Sequence, residues 1–279
     1  MIRQVSVLLM VLALAGCGGD SVERHRADGK KAYAEGDFTE ARHHFVAGLA
    51  RNPSDRELLY FAGMAYQQDL MYDSALYYLK RADLLNPQDR EINLQIYKVA
   101  VALEDYPNAI SAIETLARTG DGYDRYYEQL ADLFEKDNKP GQSYYWARKA
   151  TVRGTDVPEM YLIAASRAAD YDSMAVALEL LDTAMVKWPE DHRFPGTKAL
   201  ILFFQGKLQQ AEAILRPLAD SGKPVIESVH LTLARVLAAQ DSRSKKQEAL
   251  RIYERLQPTL PATSGIDSLI QQVKKELGQ

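Results

Sequence analysis

Small residues recur along the chain with a period of 34: Ala41, Ala75, Ala109, Ser143, Ala177 and Ala211 all stand at one phase of it. Twelve residues before each come Gly29, Gly63, Tyr97, Ala131, Ala165 and Ala199, and seven residues after each come Gly48, Ala82, Leu116, Ala150, Ala184 and Leu218. Large apolar residues interleave with them. Phe45, Leu79, Ile113 and Leu181 fall four places after the central small residue, and Leu59, Ile96, Tyr127 and Tyr161 mark the segment before it. A pattern repeated at this length predicts stacked helix pairs. Two antiparallel helices approach closely only where neither carries a bulky side chain, so the small residues mark the contact and the large ones fill the gaps around it. Gly36-Asp37-Phe38, Glu104-Asp105-Tyr106 and Gly206-Lys207-Leu208 are the expected turns within pairs, and Pro53, Pro87 and Pro189 close three second helices.

This arrangement resembles the tetratricopeptide repeat, which has small residues at positions 8, 20 and 27 and a proline at 32. The segment from Gly29 to Ala41 reads almost as that family's consensus. The resemblance implies an all-α fold, a right-handed α-solenoid of about seven helix-turn-helix units with a C-terminal capping helix. The units fall at about 22–55, 56–89, 90–123, 124–157, 158–191, 192–226 and 227–264. The last departs from the pattern, with its small residue at Ala249 and an inter-helix turn lengthened by 241–246. Pro217 and Pro258 should shorten or kink the second helices of the last two units. Ile266, Leu269, Ile270, Val273 and Leu277 form one stripe of the expected cap, within 265–279.

The N-terminus carries a different signal. Arg3 precedes an apolar stretch from Val5 to Ala15, too short to span a bilayer and the right length for a signal-peptide core. The stretch ends in Leu14-Ala15-Gly16-Cys17, which resembles the lipobox of bacterial lipoproteins. That resemblance implies removal of 1–16, acylation of Cys17 and a short lipidated tether over 17–21. The expected location is the cell envelope, lipid-anchored at the outer membrane and facing the periplasm, since Gly18 rather than an aspartate follows the cysteine. Cys17 is the only cysteine, so no internal disulfide can form. The net charge of −4 is spread without a basic run, which argues against a nucleic-acid partner.

Enzyme signatures are missing from the sequence: there is no H-E-x-x-H, no phosphate-binding G-x-x-x-x-G-K-[ST] and no G-x-S-x-G. His43 and His44 are adjacent on a second helix and read as a solvated pair, so neither a metal nor a cofactor is expected. In the family resembled, first helices line a concave surface through positions 2, 5, 9, 12 and 13. Carried over, these positions give Tyr60 and Met64, then Leu94, Lys98 and Val101, an apolar start to the groove. Arg125, Glu128 and Asp132, with Glu135 and Lys136, form a charged band, and Leu162, Leu200, Phe203 and Phe204 return to apolar character. Such a groove suits an extended or helical peptide, so the expected activity is that of a scaffold for protein partners of the envelope. The layout is similar to that of type IV pilus pilotins and of adaptors for murein hydrolases. A glycan- or peptidoglycan-binding lipoprotein is the rival reading, with Tyr126, Tyr145, Trp146 and Phe203 as stacking platforms.

Overall fold

A computed structural model describes residues 21–120, 122–171, 173–220, 227–261 and 265–279. The signal segment, Cys17 and the rest of the tether up to residue 20 lie outside the described residues. All regular structure among the described residues is helical, in the order α1 Val22–Glu35, α2 Phe38–Arg51, α3 Arg56–Gln68, α4 Tyr72–Leu85, α5 Arg90–Ala102, α6 Tyr106–Thr119 and α7 Tyr127–Lys136. Then come α8 Pro140–Val152, α9 Pro158–Asp170, α10 Met174–Lys187, α11 Arg193–Phe204, α12 Leu208–Ala219, α13 Glu227–Ala238, α14 Arg243–Leu256 and α15 Ile266–Leu277. The protein is an all-α solenoid of tetratricopeptide-type helix pairs. Two compact units divide between Asp137 and Asn138.

The six central small residues, Ala41 through Ala211, have no exposed surface at all. The reason is visible at the glycines opposite them. A methyl group added to Gly29 would lie 2.5 Å from the Phe45 ring, and one added to Gly63 would lie 2.6 Å from Leu79 Cγ. The small residue of the first helix thus receives the large residue of the second, and both Phe45 and Leu79 are fully buried.

The turn within a pair repeats as faithfully as the core. Gly36, Leu70, Glu104, Asn138 and Gly206, each in the left-handed region at φ +83, +59, +57, +54 and +71°, lie at one phase of the 34-residue period. This conformation lets the next N–H reach back into the helix, as Asp37 does to Ala32 O (2.9 Å) and Lys207 to Leu202 O (2.9 Å). Glycine takes it without strain, whereas Leu70, Glu104 and Asn138 each place a Cβ against the following carbonyl.

In unit 1 the first helix α3 touches both α1 and α5, and in unit 2 α11 touches both α9 and α13; consecutive second helices do not approach as closely. The first helices therefore line the inner face within each unit, as the resemblance implied. Charged rungs tie neighbours together in unit 1: Arg26 pairs with Asp55 and Glu57, Lys30 with Glu57, and Arg56 with Asp89. In unit 2, Glu212 on α12 accepts from Lys245 (2.7 Å) at the start of α14, from Gln240 (2.7 Å) and from Arg216 (2.8 Å). Burial alone would raise the Glu212 carboxyl, but these three donors outweigh it and hold it at about 2.

Some expected boundaries shift. The last inter-helix turn is shorter than 241–246, because Ser242 caps α14 through the Lys245 N–H and makes Arg243–Lys246 its first turn. Pro217 sits inside α12 near its end, two residues before Ala219, whereas Pro258 lies beyond α14. The first helix of the fourth unit, expected from 124, is reduced to the ten residues of α7.

Two substitutions test this packing with opposite signs. Gly63→Ala, which would ordinarily favour a helix, should lower stability by about 1–3 kcal/mol because the new methyl overpacks against Leu79. Leu70→Gly should raise it by about 0.5–1 kcal/mol, since the residue is 69% exposed and its left-handed backbone is relieved. Urea unfolding of the two variants beside the native chain reads both, and a stabilised Gly63→Ala would refute the close approach.

Candidate interaction surfaces on the inner helix faces

None of the twelve groove residues read from the sequence is buried. Tyr60, Met64 and Leu94 are half-buried, and Lys98 and Val101 are exposed, on α3 and α5. Glu128 and Asp132 are half-buried on α7, where Asp132 accepts from Lys136 (2.7 Å). Arg125 is displaced from its expected place. It is exposed in a 3-10 turn, Tyr123–Arg125, that follows Gly122 at φ +90° and precedes α7, so it is not on the first helix of its unit. In unit 2, Leu162, Leu200 and Phe203 are half-buried, and Phe204 is 71% exposed.

The inner face of unit 1 is less apolar than its five repeat positions imply. Tyr60 lines a hollow of about 320 Å3 together with Arg56, Glu57, Asp89, Glu91 and Ile92. The acids come from helix N-termini, where the helix dipole favours them, and Asp89 caps α5 through the N–H groups of Glu91 (3.1 Å) and Ile92 (3.2 Å). The Tyr60 hydroxyl donates to Glu91 (3.3 Å). Burial, reinforced by the Glu91 carboxylate, pushes the Tyr60 phenol up to about 12.

In unit 2 the expected residues gather into two neighbouring hollows. One, of about 380 Å3, is lined by Leu162 and Ser166 of α9, Arg193, Thr197 and Leu200 of α11, and Thr232 of α13. The other, of about 520 Å3, brings Phe203 and Phe204 of α11 against Arg235 of α13, Tyr253 and Lys246 of α14, and Leu269 and Val273 of α15. Reading the sequence missed Arg235, although it stands on a first helix, because the seventh unit breaks the spacing that identifies groove positions. The share taken by α15 was also illegible: the repeat pattern gives no register for a capping helix.

Of the expected stacking platforms, Tyr126 immediately precedes the first helix α7, and Tyr145 and Trp146 lie on the outer helix α8. Tyr77 and Tyr145 are exposed, but Tyr78 stacks on Tyr66 (centroids 5.3 Å apart, 12° between planes) and so belongs to packing. Tyr145 and Trp146 meet edge to face on α8, whereas Phe203 faces the α13–α15 hollow, so unit 2 forms no single platform from the three. The histidines also differ from expectation. His44 is half-buried, not solvated, with Nδ1 3.4 Å from Nδ1 of the buried His25 and Nε2 3.1 Å from Glu40. The first turn of α1 and the middle of α2 cross there, and the pattern of one helix alone could not show it. Glu40, His43 and His44 bring one ligand atom each within 4.8 Å of one another, so metal-ligand types do meet on α2.

No family model and no curated protein matches this chain. Solved structures do. The Naa15/Naa10 complex bound to HypK-THB aligns with TM-score 0.65 at 15% identity, covering 89% of this chain and 39% of that one. PilW, described as a widely conserved type IV pilus biogenesis factor, aligns with TM-score 0.53 at 15% identity over 77% of this chain and 98% of its own. YrrB, described as a TPR protein with an unusual peptide-binding site, aligns with TM-score 0.52 at 15% identity over 66% and 95%. At these identities the likeness is one of fold. Among the described residues no helix is long and apolar enough to cross a membrane.

The Tyr253 side chain is almost wholly buried, and burial pushes its phenol up to about 12, against an ordinary value near 10. A raised pKa means the folded state holds the proton more tightly. The associated stability is therefore complete below pH 10 and is lost as pH rises towards 12. Between pH 9.5 and 11.5 the native chain should lose about 2 kcal/mol more than Tyr253→Phe does in urea unfolding. Parallel curves would show that the phenol is solvated.

Proposed function

We propose that this protein is a lipid-anchored adaptor of the cell envelope that holds protein partners on the inner helix faces of its units. The observation that carries the reading is the exposed Phe204 beside Phe203 on the inner side of α11, opening on the largest of the described hollows. A large ring left in water beside a concave apolar surface marks a place where another molecule is accommodated. Lipid attachment at Cys17 rests on the lipobox-like Leu14-Ala15-Gly16-Cys17, and it supplies the anchor that no described helix provides. Catalysis is not part of the proposal. Among envelope machines, type IV pilus assembly is the first in which to look for the partner, given the likeness in fold to PilW.

The test is crosslinking in living cells of the full-length protein and of a variant with Tyr60, Leu94 and Phe203 changed to Ala, followed by mass spectrometry. The native chain should capture a defined envelope protein and the variant should lose it, with the helical circular dichroism of both unchanged. Equal capture would move the binding face elsewhere. Capture that survives Cys17→Ala in the soluble fraction of the envelope, with no membrane-bound pool in the native strain, would refute the anchor.

A further inference from the structure

The hollow between α11, α13, α14 and α15 contains one charge that no described residue matches. Glu276, the carboxylate in its wall, is already engaged: it accepts from Lys246 Nζ (2.8 Å) and from Gln272 Nε2 (3.1 Å), and these donors hold its pKa below the usual range. Arg235 is half-buried and forms an ion pair with no carboxylate among the described residues. The remaining wall is apolar, formed by Phe203, Phe204, Leu269 and Val273, and the Tyr253 hydroxyl, which makes no hydrogen bond within the described residues, completes it.

A guanidinium taken partly out of water without a counter-ion is costly, and an anion arriving beside it recovers that cost. Lys246 is neutralised by Glu276, so the unmatched charge is a single one and fits a carboxylate better than a doubly charged phosphate. The Tyr253 hydroxyl, its phenol protonated at neutral pH, supplies a donor in the same wall. The apolar surface around the pair calls for a large hydrophobic side chain beside the acid. The chain as a whole is net acidic, at −4, so this is a local complement and not part of a general basic surface.

We infer that this hollow is the anchor point for a protein segment bearing a glutamate or aspartate side chain next to a large apolar residue, with Arg235 pairing the carboxylate and Phe203 and Phe204 covering the apolar side chain. The neighbouring hollow along α9, α11 and α13, with Leu162, Leu200 and the Thr197 and Thr232 hydroxyls, would carry the continuation of that segment. The inference rests on the inner face being the binding face.

The experiment uses the full-length protein in detergent and two fluorescein-labelled peptides blocked at both ends, Ser-Leu-Glu-Phe-Leu-Ser and its counterpart with Gln for Glu. Anisotropy should show the Glu peptide binding at least tenfold more tightly than the Gln peptide. Arg235→Gln should abolish that difference, Arg235→Lys should restore part of it, and Lys149→Gln on the outer side of α8 should leave it intact. Equal binding of the two peptides, no binding of either below about 1 mM, or displacement by inorganic phosphate but not by acetate would overturn the inference. If Arg235→Gln changes nothing here while the Tyr60, Leu94 and Phe203 variant loses its partner in cells, the anchor falls and the adaptor reading stands. If that variant also keeps its partner, both fall.

Discussion

The fold depends on one steric constraint, the close approach of two helices at a buried small residue. Where Gly29 meets Phe45 and Gly63 meets Leu79 there is no room for a single added carbon without displacing a fully buried side chain. That contact fixes how the two helices of a pair cross, and the left-handed residue at Gly36, Leu70, Glu104, Asn138 or Gly206 fixes how the chain returns. Because the same geometry recurs at each step, the first helices draw together and the second helices spread apart within each unit. An inner face is then unavoidable, and its chemistry depends on residues that the packing itself does not use.

Those residues divide into two kinds. In unit 1 they are mostly spent on one another: Arg26, Lys30 and Arg56 pair with acids of the next first helix, and Tyr60 is tied to Glu91. In unit 2 Arg193 of α11 likewise pairs with Glu159 of α9, and Glu212 is matched by Arg216, Gln240 and Lys245, while the inner face keeps Phe204 in water and Arg235 without a partner carboxylate among the described residues. Exposed ion pairs add little to stability. A lone half-buried cation beside exposed rings therefore carries more information about binding than the paired charges around it.

Much of the helical plan was legible in the sequence because the constraint is local and repeated. Ala41 to Ala211 announced the helix pairs, and Gly36 and Gly206 announced their turns. Legibility ended where repetition did. The turn from Gly122 to Tyr126 breaks the spacing ahead of α7 and moves Arg125 off its helix. Ser242 captures the N-terminus of α14 four residues before the expected end of its turn, a capping effect that the small-residue pattern does not encode. Leu70 and Glu104 gave no sign of a left-handed backbone, since neither residue type prefers it. The contact of His25 with His44 and the assembly of Arg235, Tyr253 and Leu269 around one hollow come from tertiary packing between elements whose registers are independent in the sequence.

The central claim is that partners meet the first helices and not the second. Its most direct test is a photoreactive amino acid placed singly at exposed positions of both faces in cells producing the full-length protein. Val101 and Phe204 represent the inner face, and Leu84, Val152 and Val186 the outer. The account predicts adducts with a defined protein from Val101 or Phe204 and none from the other three. Adducts arising from Leu84, Val152 or Val186, with none from the inner positions, would contradict it.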